Sequence, residues 1–135
     1  MKNTKGWILI VMLSFSIFGL TACGGNASNG SALTYEQITQ AEAKEIMDTE
    51  KEYILIDART EEEFAQGHIP GAILIPEYEI VSRAEEELPD KNALILVYCR
   101  SGRRSKIASE ELVKLGYTNV KEFGGILDWQ YDIVK

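Results

Sequence analysis

The chain has 135 residues, 26% of them charged and 45% hydrophobic, with a formal net charge of −7 and only two cysteines. That length suits one domain with a single core. The acidic balance disfavours nucleic acid or an anionic lipid surface as partner, and two cysteines are too few for a disulfide-stapled scaffold.

In chain order, residues 1–22 come first. They carry Lys2 and Lys5, no acid, and an apolar stretch from Trp7 to Leu20 interrupted by Ser14, Ser16 and Gly19. This has the form of a signal peptide, and its apolar core is shorter than the roughly 20 residues a spanning helix needs. It ends at Leu20-Thr21-Ala22-Cys23, which resembles the lipobox of bacterial lipoproteins. The resemblance implies cleavage before Cys23, acylation of that cysteine, and a mature protein anchored in the cell membrane and facing outside the cytoplasm. Residues 23–33 then read as a flexible Gly/Ser/Asn linker that lifts a domain off the membrane. Removing residues 1–22 takes away two lysines and no acid, so the net charge moves from −7 to −9. With Cys23 committed to lipid, Cys99 is the one remaining thiol.

Residues 34–135 read as one α/β domain. Tyr35 to Ile38 forms a short strand, and Thr39 with Glu42 is a capping-box spacing that opens a helix to about Glu50. Tyr53 to Ile56 is an apolar run typical of a buried parallel strand. Asp57-Ala58-Arg59 leaves that strand, Thr60 with Glu63 repeats the capping box for a short helix through Gln66, Gly67 ends it, and Pro70-Gly71 turns the chain.

Ala72 to Ile75 supplies another strand. Glu77 to Leu88 follows as an amphipathic helix, with Ile80, Ala84 and Leu88 on one stripe. Leu94 to Tyr98 is the most apolar run of the mature chain. After a basic loop, Ser105 to Leu115 has apolar residues at helical spacing, Val120 to Phe123 makes a last strand, and Gly124-Gly125 leads to a helical turn around Trp129. The alternation implies a mostly parallel sheet of about five strands with helices on both faces and a ligand site beyond the carboxyl ends of the strands. Asp57 and Cys99 both stand at such ends.

Cys99-Arg100-Ser101-Gly102-Arg103-Arg104-Ser105 joins the most apolar strand to a helix. Converging N–H groups and the helix dipole at such a turn stabilise an anion, so a cysteine there is held as the nucleophilic thiolate. Gly102 lets the backbone approach the sulfur. Between residues 99 and 106 there are four cationic side chains and no acid, in a domain that is acidic as a whole.

This loop, with Ile56-Asp57-Ala58-Arg59, Glu63-Phe64, Gly67-His68-Ile69-Pro70-Gly71-Ala72 and Gly124-Gly125 to Trp129, resembles the rhodanese-like domains over nearly all of residues 34–135. The resemblance implies a sulfurtransferase without cofactor or metal. Cys99 takes a sulfane sulfur from a donor such as thiosulfate or a persulfide, holds it as a persulfide against the loop amides, and passes it to a thiol or cyanide. Arg100 and Arg104 match the arginines that attract the donor and balance the persulfide; Arg103 sits at a variable position. Ser101, Gly102 and Ser105 complete the substrate-binding loop.

Asp57 and Arg59 match a supporting pair near the pocket, although a structural reading is simpler: a strand-end carboxylate satisfying backbone donors, and an arginine paired with Glu62 or Glu63. His68, the only histidine, belongs in the family to a turn away from the sulfur. A monomer is expected. Cysteine phosphatases share the strand-loop-helix logic but place five residues between cysteine and arginine; four separate Cys99 from Arg104, which suits one sulfur better than a phosphoryl group. A non-enzymatic binding or thiol redox-sensing module is the alternative of a different class.

Overall fold

The computed structural model describes residues 34–135. The expected signal peptide, residues 1–22, and the whole expected linker, residues 23–33 with Cys23, lie outside the described residues. Among those described, no helix is long and apolar enough to cross a membrane.

Five strands, β1 (Glu36–Gln37), β2 (Ile54–Asp57), β3 (Ile73–Leu74), β4 (Ile95–Cys99) and β5 (Val120–Gly125), form one sheet in the order β1-β5-β4-β2-β3. Every pairing between them is parallel. The helices are α1 (Gln40–Thr49), α2 (Glu61–Gln66), α3 (Ile80–Glu87) and α4 (Arg103–Lys114). Both expected capping boxes form: the Thr39 and Thr60 hydroxyls accept the N–H of Glu42 and Glu63, whose carboxylates return the bond to the cap N–H.

β4 is central and buried at all five positions, so its alternating side chains feed two cores. Ile95, Val97 and Cys99 face Ile80, Ala84, Ala108 and Leu112 of α3 and α4. Leu96 and Tyr98 face Ala43 of α1 together with Ile69 and Phe123. Cys99 thus has a fixed direction, toward the amino end of α4.

Local boundaries depart from the sequence expectation where backbone chemistry intervenes. The helix expected from Glu77 starts with a 3-10 turn, Glu77–Glu79, behind Pro76, and becomes α-helical only at Ile80. β3 is shorter than expected. α4 begins at Arg103 rather than Ser105, because Gly102 takes φ = 105° and the helix can start immediately after it. β5 runs on through Gly124 and Gly125, and the final turn is a 3-10 turn at Ile126–Asp128.

Candidate active site

Cys99 is the last residue of β4 and is 1% exposed. The chain reverses around its sulfur: Gly102 N–H donates to Sγ at 3.0 Å, and Ser105 Oγ lies 3.4 Å away. Burial pushes the thiol upward, but hydrogen bonds from the Ser105 hydroxyl and from the backbone N–H groups of Ser105, Gly102 and Ser101 outweigh it, and the net displacement is downward. The loop therefore shifts Cys99 toward its thiolate, through the Ser105 hydroxyl first and the backbone N–H groups after it.

The loop is held from β5. A Cβ on Gly125 would stand 2.0 Å from the Arg100 carbonyl oxygen and 2.5 Å from Ser101 N, so only glycine permits this approach. Leu127 N–H donates to the same Arg100 carbonyl at 3.2 Å. Gln40, the first residue of α1, donates Nε2 to the carbonyls of Phe123 at 3.0 Å and Gly125 at 2.9 Å, pinning the glycine pair from the other side.

The arginines are not equivalent. Arg104 is bound by both guanidinium nitrogens to Glu63, at 2.7 and 2.8 Å. Its charge is thus already partnered, whereas the resemblance assigned it to donor and persulfide. Arg100 and Arg103 are exposed, and neither makes an ion pair among the described residues. Ser101 is exposed; Gly102 and Ser105 are buried under the loop.

Asp57 is fully buried and Arg59 is 5% exposed. Contrary to the expected pairing of Arg59 with Glu62 or Glu63, its guanidinium binds Asp57: Nη2 to Oδ2 at 2.7 Å and Nε to Oδ1 at 2.9 Å. Glu63 is already committed to the Thr60 cap and Arg104. Tyr98 O–H donates to Asp57 at 2.6 Å and accepts from Ile69 N–H at 3.1 Å, and Arg59 Nη2 also donates to the Gly67 carbonyl at 2.7 Å. This ties the ends of β2 and β4 to the Gly67–Ile69 turn. His68 belongs to that turn, stacked on Phe64 at 3.7 Å with Nδ1 3.0 Å from the Phe64 carbonyl.

Beside the loop, a cavity of about 280 Å³ is lined by Arg59, Glu63, Arg100, Ile126, Leu127 and Ile133. A larger one, about 860 Å³, lies at the amino ends of the strands among Tyr53, Asn92 and Asn119 and contains no nucleophile. Chemistry rather than size locates the site.

Glu122 escaped the sequence reading. It is 2% exposed, on β5, directly beneath the loop, with Oε1 2.6 Å from Ser105 Oγ. The signal was available: alternation from the inward-facing Val120 turns Glu122 into the core beside Cys99.

A sheet of this topology with a cysteine cradled at the end of its central strand defines a class, and sequence comparison supplies the family. Residues 39–132 match the Rhodanese-like domain model, and the chain belongs to that family. It is 45% identical over 73 residues to Thiosulfate sulfurtransferase PspE of Escherichia coli, covering 54% of this chain and 70% of that protein. It is 40% identical over 88 residues to a Sulfurtransferase of Allochromatium vinosum, covering 64% of this chain and 79% of the relative. Among solved structures, a rhodanese with anions from E. coli superposes with a TM-score of 0.58 at 42% identity, over 62% of this chain and 98% of its own.

Proposed function

We propose that the protein is a membrane-tethered, rhodanese-type sulfurtransferase with Cys99 as nucleophile and sulfur carrier. The observation that carries this is the Cys99 sulfur at the carboxyl end of β4, accepting from Gly102 N–H at 3.0 Å and displaced toward thiolate. The names of the relatives support the reaction class.

In the first half-reaction the thiolate attacks the outer sulfur of a donor such as thiosulfate or a persulfide. A new S–S bond forms to Cys99, the donor's own S–S bond breaks, and sulfite or a thiolate leaves with the electron pair. The terminal sulfur carries the negative charge and lies against the loop N–H groups. In the second half-reaction a thiol or cyanide attacks that sulfur and the Cys99 thiolate departs. Arg100 and Arg103, exposed and without an ion pair among the described residues, draw in an anionic donor.

The anchoring part rests on sequence alone: residues 1–22 as a signal, lipid on Cys23, and residues 23–33 as linker to an outward-facing monomeric domain at 34–135. Metabolic labelling with a fatty acid tests it, the label being expected on the wild type and lost with Cys23→Ser.

Intact mass of the full chain, before and after thiosulfate and then cyanide, tests the chemistry. The wild type should gain one sulfur and lose it as thiocyanate, and Cys99→Ser should do neither. No gain from thiosulfate or a glutathione persulfide would refute the reaction and leave a binding or redox-sensing module.

A further inference from the structure

Glu122 is a buried carboxyl that the sulfur-transfer steps do not use. Its Oε1 faces Ser105 Oγ at 2.6 Å and accepts Gly124 N–H at 2.8 Å, and its Oε2 is 3.4 Å from Gln37 Nε2. No Lys or Arg among the described residues pairs with it. Lys121, next on the strand, pairs with Glu36 instead. The titratable groups facing Glu122 are Cys99 from β4, through Ser105 of α4, and Tyr35 from the segment before β1, with Glu110 of α4 near that tyrosine.

Ser105 is the bridge. Its oxygen lies 2.6 Å from Glu122 Oε1, 3.0 Å from the Gly102 carbonyl, 3.3 Å from the Gly124 carbonyl and 3.4 Å from Cys99 Sγ. A hydroxyl has one hydrogen to donate, so it cannot serve a carboxylate and a thiolate at once. A carboxylate and a thiolate on either side of one hydroxyl, both buried, with Arg104, whose charge reaches Cys99, already bound to Glu63, would be two anions in a medium that penalises each. The arrangement accommodates one negative charge and one shared proton.

We propose that Cys99, Ser105 and Glu122 form a proton-sharing chain in which the Cys99 thiolate is produced by passing its proton through Ser105 to Glu122. The Sγ–H bond breaks as Ser105 Oγ gains that proton, and the hydrogen Ser105 gave to Glu122 becomes the Oε1–H bond. Nothing is oxidised or reduced, and no proton leaves the protein. The Ser105 hydroxyl then points at Sγ and donates to the thiolate. In this way the carboxyl is neutral whenever Cys99 is ionised and does not oppose the thiolate. Glu122 acts through Ser105 and is a positioning residue. The inference rests on Cys99 being the nucleophile of the proposed reaction, but its test reads the resting thiol and needs no sulfur transfer.

The test compares the full chain with Glu122→Gln and Ser105→Ala, following thiolate absorbance against pH and the infrared band of a protonated carboxyl. The wild type should show that band while Cys99 is a thiolate and lose it when Cys99 is alkylated; Glu122→Gln should lack it. Glutamine mimics the protonated acid, so the thiolate midpoint in Glu122→Gln should stay within about half a pH unit of wild type. A Glu122 that was always ionised would repel the thiolate, and removing its charge would lower the midpoint by about one unit or more. That fall, or a wild-type thiolate with no protonated-carboxyl band, overturns the inference. Ser105→Ala should raise the midpoint and abolish the band, and an unchanged midpoint there also overturns it. The wild-type infrared measurement decides even if a variant fails to fold. A chain that shows the band but takes no sulfur from thiosulfate would refute the sulfurtransferase reading and leave this one standing.

Discussion

Asp57 and Arg59 were candidate supporting residues for the sulfur pocket, and their burial makes a stability experiment decisive. Arg59→Met leaves the Asp57 anion with only Tyr98 O–H at 2.6 Å and the residue-59 N–H at 3.0 Å. Asp57→Asn leaves the guanidinium with the Gly67 carbonyl at 2.7 Å as its remaining full acceptor. Breaking a buried pair from one side costs about 3–5 kcal/mol, a large share of the ~5–15 kcal/mol that holds a domain folded. The double variant Asp57→Asn/Arg59→Met buries no charge, so it should be far less destabilised than the sum of the two singles, with a coupling of about 2–3 kcal/mol. Urea unfolding followed by circular dichroism measures all three, provided the slope m is unchanged. Two results would refute the reasoning. Additive singles would show that the pair is not one unit. A folded double variant unable to take sulfur from thiosulfate would show that the pair acts on the chemistry and not only on the turn it ties down.

Two further outcomes follow from the site's geometry. Gly125 has an ordinary extended backbone, so Gly125→Ala acts through collision with Arg100 and Ser101, and should slow alkylation of Cys99 at least tenfold while costing about 1–3 kcal/mol. Gly102→Ala meets nothing closer than 3.6 Å and pays only for φ = 105°, so it should be the milder of the two in alkylation rate; the reverse order would contradict the packing. Arg104's hydrogen bonds hold the Glu63 carboxyl down at about 2, from an ordinary value of 4.5. Because the folded value is the lower one, the pair's stabilisation is complete above pH 4.5 and disappears as pH falls through about 2. The pair is partly exposed, which limits it to about 1 kcal/mol. The melting-temperature gap between wild type and Glu63→Gln should therefore be present at neutral pH and close on acidification.

What could be read from the sequence is what local chemistry decides. Thr39/Glu42 and Thr60/Glu63 announced both capping boxes because each closes within four residues. Residues 94–98 announced the central strand because burial on both faces leaves no polar alternation. The placement of Cys99 and Gly102 was legible because a strand-to-helix turn needs that glycine and turns its N–H groups toward that cysteine. The partners of Arg59 and Arg104 were not legible. Glu63 stands four residues from Arg59 and 41 from Arg104, yet pairs with Arg104, because α2 carries it to the amino end of α4. The order β1-β5-β4-β2-β3 likewise depends on crossovers that no single segment encodes.

The basic loop looks in sequence like a concentration of positive charge built to hold a sulfur anion, and the structure redistributes that work. Arg104 is bound to Glu63 and Arg59 to Asp57, so two of the four arginines around the site contribute little net field at the sulfur. Arg100 and Arg103 are exposed, where salt screens them, which suits them to recruiting an anion from solution rather than to holding one. The donors that remain at the sulfur are the N–H groups of Ser101, Gly102 and Ser105 and the Ser105 hydroxyl. A cradle made of backbone fits one atom and cannot re-aim, so its performance depends on where the loop sits. That position is set from the opposite side, by Gly125 against Arg100 and by Gln40 on the carbonyls flanking the glycine pair. The site is therefore specified as much by β5 and α1, which supply no nucleophile, as by the loop that carries it.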